Sequence, residues 1–86
     1  MTVIINCKNL YEREQAHQYL ARMLDFPAYY GRNLDALHDC LTEVSGRNLV
    51  LLGAEALREA GGYGARILNV FERASQENSG LKLEMR

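Results

Sequence analysis

At 86 residues the chain has room for one domain and one modest core. Its 48% hydrophobic and 24% charged residues are ordinary globular values, and a net charge of −1 with an isoelectric point near 6.1 excludes the broad basic footprint of a nucleic-acid binder. No apolar run approaches the roughly 20 residues that span a bilayer, and MTVIINCKNL lacks the flanks of a signal peptide, so a cytoplasmic protein with no membrane partner is expected.

Thr2 to Asn6 (TVIIN) is a short β-branched run, apolar on consecutive positions. That pattern predicts a strand covered on both faces in a parallel sheet. After a turn at Asn9 to Tyr11, Ala16, Tyr19, Leu20, Met23 and Leu24 recur at the spacing of an amphipathic helix. Glu14, Gln15, Gln18 and Arg22 lie on its polar side, and His17 falls at the boundary between the two. This helix is expected to end near Asp25, because the only proline, Pro27, biases Phe26 away from helical backbone.

Pro27 to Arg32 then forms an irregular loop. Of Tyr29 and Tyr30, one is expected to fill the core edge and the other to serve as an aromatic anchor for a partner. Gly31 supplies either a positive φ or room for a partner's backbone. Asn33 is a strong N-cap for the helix that follows. On that helix Leu34, Leu37, Leu41 and Val44 share one stripe, with Cys40 at its edge, while Asp35, His38, Asp39 and Thr42 fall opposite. Glu43 to Asn48 follows the helix, with Gly46 as the expected C-terminal stop.

Leu49 to Leu52 (LVLL) reads as a second buried parallel strand. Ala54 to Ala60 is a short helix closed by Gly61 and Gly62. Ala65 to Gln76 is a longer one, with Ile67, Val70, Phe71 and Ala74 on a stripe that Leu68 widens and with Glu72 and Arg73 at or beyond its edge. Asn78-Ser79-Gly80 is a turn. Leu81 to Arg86 alternates apolar and charged residues, the mark of a half-buried edge strand. The order β-α-α-β-α-α-β implies crossover connections and an α/β fold: one domain over residues 1–86, a three-stranded parallel sheet packed against about four helices.

Asp35 and Asp39 work against the helix that carries them. Four residues apart, they repel by roughly 0.2–0.5 kcal/mol. Asp35 recovers part of that near the helix N-terminus, whereas Asp39 is a poor mid-helix residue. A local choice that opposes stability points to function, although a plainly solvated acidic face has the same spacing. Asp35, His38 and Asp39 on one exposed helix make only a loose, open metal site. Acid–base catalysis by the carboxylates needs a pocket that a convex helix does not supply. Gly61, Gly62 and Gly64 follow a helix and lead to no Lys-Ser/Thr, so they form no phosphate loop. No catalytic residue, metal or cofactor is expected. Cys7 and Cys40 fit no metal spacing and are expected to be reduced thiols. What an acidic, aromatic-flanked rigid helix can do is dock on a basic cleft of another protein, with opposed charge steering the encounter.

The stretch PAYYGRNLDALHDCL resembles the signature of barstar, the intracellular inhibitor of the secreted ribonuclease barnase. Likeness extends along essentially the whole chain, through Ile5-Asn6, His17-Gln18, LVL, Val70-Phe71 and the closing strand. The resemblance implies three parallel strands packed on helices, and a monomer when free that occludes a ribonuclease active site. It implies that Asp39 pairs with the basic groups that bind the RNA phosphate and that Asp35 supports it on an adjacent positive side chain. Tyr29 would pack on the enzyme's catalytic histidine, and Gly31, Asn33 and Thr42 would add close contacts. Tyr30, Leu34, His38 and Glu43 complete the expected partner-binding face, with Arg32, Val44, Glu72 and Arg73 at its margin. The chain departs from the family pattern at His38, where a tryptophan is typical. It departs again at Arg32, where an acidic residue often precedes the cap. Arg73 stands where a glutamate of the fourth helix makes a peripheral contact, and Glu72 lies one position earlier, about 100° away. These changes weaken the negative patch and leave a second reading, an interaction module of the same fold whose partner is not a ribonuclease.

Overall fold

Two short apolar runs and one alternating run become the three strands of a parallel sheet in the computed structural model, which describes residues 1–86. The strands are β1 (Thr2–Asn6), β2 (Arg47–Leu52) and β3 (Leu81–Met85), and the helices are α1 (Arg13–Met23), α2 (Leu34–Glu43), α3 (Ala54–Ala60) and α4 (Gly62–Glu77). A single 3-10 turn, Cys7–Asn9, follows β1. The element order and the α/β class are those the sequence implies.

Strand order is β1-β2-β3. In register, Val3, Leu49 and Leu83 form one row across the sheet and Ile5, Leu51 and Met85 the next. These rows face the helices and carry the core, together with Leu20, Leu37, Leu41, Ile67, Leu68 and Phe71. The opposite face is open. Ile4 is 54% exposed and Leu52 37%, while Val50 is covered only where it lies between Ile4 and Glu84. The expected two-sided burial of β1 is therefore wrong. Successive crossovers of one hand, made in the same direction across a sheet, put their helices on the same side. The consecutive apolar residues of β2 reflect its central position instead.

The second helix ends within a residue of the expected Glu43 to Asn48 connection, but its carbonyls are not capped by Gly46. It ends at Glu43, with Val44 already extended, and Gly46 (φ 66°) turns the chain into β2. The cap comes from far along the chain: the Asn78 side-chain amide donates to Leu41 O at 2.9 Å and to Val44 O at 2.8 Å. Its carbonyl accepts from Gly80 N at 3.0 Å, so one asparagine ties the end of α2 to the start of β3. The fourth helix begins at Gly62 rather than Ala65. No helix is long and apolar enough to cross a membrane.

Candidate functional site

The loop before α2 and the outward side of α2 form one surface. The loop closes tightly on the helix. Arg32 carries the positive φ, at 54°, not Gly31. A Cβ on Gly31 would lie 3.2 Å from the Ala36 Cβ, so the room left there is taken by the helix itself. Asn33 Oδ1 accepts from Ala36 N at 2.7 Å, as its cap role requires, and its Nδ2 donates to Gly31 O at 3.3 Å.

The two tyrosines part company. Tyr29 is 88% exposed, and Tyr30 is buried against Phe26, with ring centroids 4.8 Å apart. The Tyr30 hydroxyl meets His17 Nδ1 at 2.7 Å, and His17 Nε2 meets the Tyr63 hydroxyl at 2.6 Å. A neutral imidazole donates through one nitrogen and accepts at the other, so both hydroxyls can be satisfied. Burial pushes the His17 pKa down, and the Arg13 and Arg32 cations add to the effect. His17 is thus a core residue at 1% exposure, not the boundary residue that its position beside the stripe suggests. It pins Tyr30, and through Tyr30 the loop that presents Tyr29.

On α2, Leu37 and Leu41 are buried while Leu34 is half-buried, as is Val44 just past its end. Asp35 and Asp39 point to solvent, the Asp39 side chain 79% exposed. Neither carboxylate has a lysine or arginine within 4.0 Å, and His38 Nδ1 lies 3.9 Å from Asp39. His38 is otherwise engaged, with Nε2 2.5 Å from Glu77 Oε1 at the end of α4. Thr42 turns its hydroxyl inward to donate to Asp39 O at 2.9 Å. Tyr29, Gly31, Asp39, Glu43 and Val44 all line one open cleft of about 450 Å³ between loop and helix. The Cys40 thiol, also in the cleft, is raised by burial and then by Glu43 and Asp39, and Cys40 and Cys7 are both free.

A second groove, of about 290 Å³, runs between α2 and α4 with Leu34, Asp35 and His38 on one wall and Arg66 and Arg73 on the other. Glu72 is not part of it; it turns to α3, where Arg58 Nη2 lies 3.1 Å from its carboxylate. Sequence reasoning missed His17, Tyr63, Asn78 and Arg66. The first three act through long-range contacts, and Arg66 is marked only by its helical spacing from Arg73. No three His, Cys, Asp or Glu side chains converge as metal ligands.

Fold and face together define a small α/β protein with two exposed helical carboxylates beside an exposed tyrosine. The chain matches the family model "Barstar (barnase inhibitor)" over residues 1–86, and it belongs to the barstar family. It is similar to a Bacillus subtilis (strain 168) protein named "Putative ribonuclease inhibitor YrdF", 41% identical over 78 residues that span 87% of this chain and 86% of that protein.

Proposed function

We propose that this protein is a ribonuclease inhibitor, and that its target is a secreted enzyme of the barnase type, held in check within the cytoplasm of the cell that makes it. The family and the name of the Bacillus subtilis relative support the inhibitor role. The observation that carries the finer reading is Asp39: a mid-helix carboxylate 79% exposed, without a lysine or arginine within 4.0 Å, in the same cleft as the exposed Tyr29.

Inhibition is by occlusion, not catalysis. Asp39 enters the basic cleft where the enzyme holds an RNA phosphate, and the carboxylate takes the phosphate's place. Asp35, one turn earlier, meets an adjacent cation. Tyr29 covers an aromatic or imidazole ring of the enzyme, and Gly31, Asn33 and Thr42 border the contact. Tyr30 supports this face from beneath. The face is fixed before the partner arrives, by the Asn33 cap, the Asn78 cap and the His17–Tyr30 bond. Little ordering cost then remains on binding.

The test is inhibition of a purified barnase-type ribonuclease at low and high salt, with Asp39→Ala alongside. Tight inhibition that weakens with salt and is lost in the variant is expected. A folded protein that does not inhibit would assign the same face to a partner other than a ribonuclease. The exposed Arg32 and Arg73 on its margin favour that second reading.

A further inference from the structure

The acidic pair does not stand in an acidic field. Arg13, Arg32, Arg66 and Arg73 are all exposed, and none has a carboxylate within 4.0 Å, whereas Arg58 and Arg86 are paired with Glu72 and Glu84. The four are contiguous. Arg32 and Arg13 line one groove beside α1. Arg13 and Arg66 share the next with Leu34 and Asp35, a hollow of about 320 Å³. Arg66 and Arg73 share the α2–α4 groove, again with Asp35. Arg13 is held in part by the Tyr63 ring, its guanidinium 5.8 Å from the centroid. A basic crescent drawn from α1, the tyrosine loop and α4 thus curves around the Asp35 end of the acidic face.

We infer that this crescent is a specificity surface that fits acidic side chains on the rim of the partner's active-site cleft, beside the basic floor that receives Asp39. The inference rests on the inhibitor reading and narrows it to ribonucleases with carboxylates at that rim. A uniformly basic enzyme would meet Asp35 and Asp39 favourably but would set cations against Arg66 and Arg73. Like charges brought together at an interface exclude wrong partners, while attraction selects right ones. A nucleic-acid strand is the poorer occupant. Asp35 lies in two of the three grooves and Glu14 in the third, so a continuous line of phosphates would run over carboxylates. A protein rim with separated charges avoids them.

The experiment is a charge-swap cycle with the barnase-type ribonuclease as probe. Glutamates are introduced singly at exposed rim positions of the enzyme, in variants that keep their RNA-cleaving activity. Inhibition constants are then measured for the parent protein and for Arg66→Glu/Arg73→Glu, both checked for folding by circular dichroism. At one or more rim positions the glutamate is expected to tighten the parent by up to about fivefold and to weaken the double variant by a similar factor. Equal response of parent and double variant at every position overturns the inference. So does tight binding of a single-stranded RNA oligonucleotide by the parent that the double variant loses, since the crescent would then be an anion site. Asp39→Ala is run in parallel to separate the two levels. If it inhibits as well as the parent, the inhibitor reading of the acidic face fails on its own. If the parent inhibits no enzyme in the set, both fall.

Discussion

The two sides of α2 follow opposite rules. Leu37 and Leu41 are fully buried in the core cluster with residues of α4 and the sheet, while Asp35 and Asp39, each two residues from a buried leucine, stand in water with no lysine or arginine partner. Tyr29 and Tyr30 repeat the contrast within one dipeptide. On the helix, burial and exposure are thereby divided between positions two residues, or about 200°, apart. The exposed groups can be set for a partner without weakening the core, because few of their atoms are used to hold the fold.

The largest effects test that division directly. Asp39→Ala removes a like-charge neighbour of Asp35 and a poor helix former. Its melting temperature is expected to stay level or rise, while inhibition weakens at least about a hundredfold, the scale of stranding one member of a buried charge pair. Leu37→Ala should do the reverse. It empties a packed site and costs about 2–5 kcal/mol in a denaturant titration, and the surviving folded fraction should inhibit normally. Unfolding by Asp39→Ala would erase the contrast.

The tyrosine pair sharpens it at a smaller scale. Tyr30→Phe leaves a buried His17 nitrogen without its partner and is expected to cost about 1–3 kcal/mol of stability. Tyr29→Phe removes a hydroxyl from a ring already in solvent and should leave the denaturation midpoint unchanged. Asn78→Ala should cost about 1 kcal/mol, less than Tyr30→Phe because water can replace part of its bonding to Leu41 O and Val44 O. Faster amide exchange confined to the last turn of α2 would show where the loss falls.

How much of this could be read from sequence follows from the range of the forces. The α2 helix was legible because its cap and apolar stripe are local signals: Asn33 sits at the predicted cap and bonds Ala36 N. Element order was legible for the same reason, as was the split of the tyrosine pair into one buried and one exposed ring. The open side of the sheet was not, because TVIIN has the same apolar run whether or not anything covers Ile4. Only the direction of two crossovers decides that. The end of α2 was legible to within a residue but its cap was not: Gly46 offered a local stop, while Asn78, far along the chain, supplies the cap. The start of α4 misled because Gly61, Gly62 and Gly64 read as a break. Yet a Cβ on Gly64 would lie 2.2 Å from Leu57 Cδ1, so that glycine serves close packing of α4 on α3. The crescent was half legible: Arg32 and Arg73 stand out by position, whereas Arg13 and Arg66 join them only when α1 and α4 are brought beside α2.

His17 gives a pH-dependent effect and links the two regions. It is neutral in the folded protein, because burial first, and the Arg13 and Arg32 cations second, lower its pKa below 6.5; the Tyr30 and Tyr63 hydroxyls satisfy that neutral ring. The unfolded chain takes up a proton near pH 6.5, and the folded chain only at lower pH. As pH falls through that window the unfolded state binds more protons, so stability declines, by at most about 1.4 kcal/mol per pH unit from this one group. Urea titrations between pH 7 and 5 should show the decline, and His17→Gln should flatten it. Because His17 holds Tyr30 beneath the exposed Tyr29, the inhibition constant should rise over the same window in the parent and less so in the variant. Parallel pH profiles for the two proteins would mean that the buried histidine and the exposed face are independent, and that the loop is held by Asn33 and Gly31 alone.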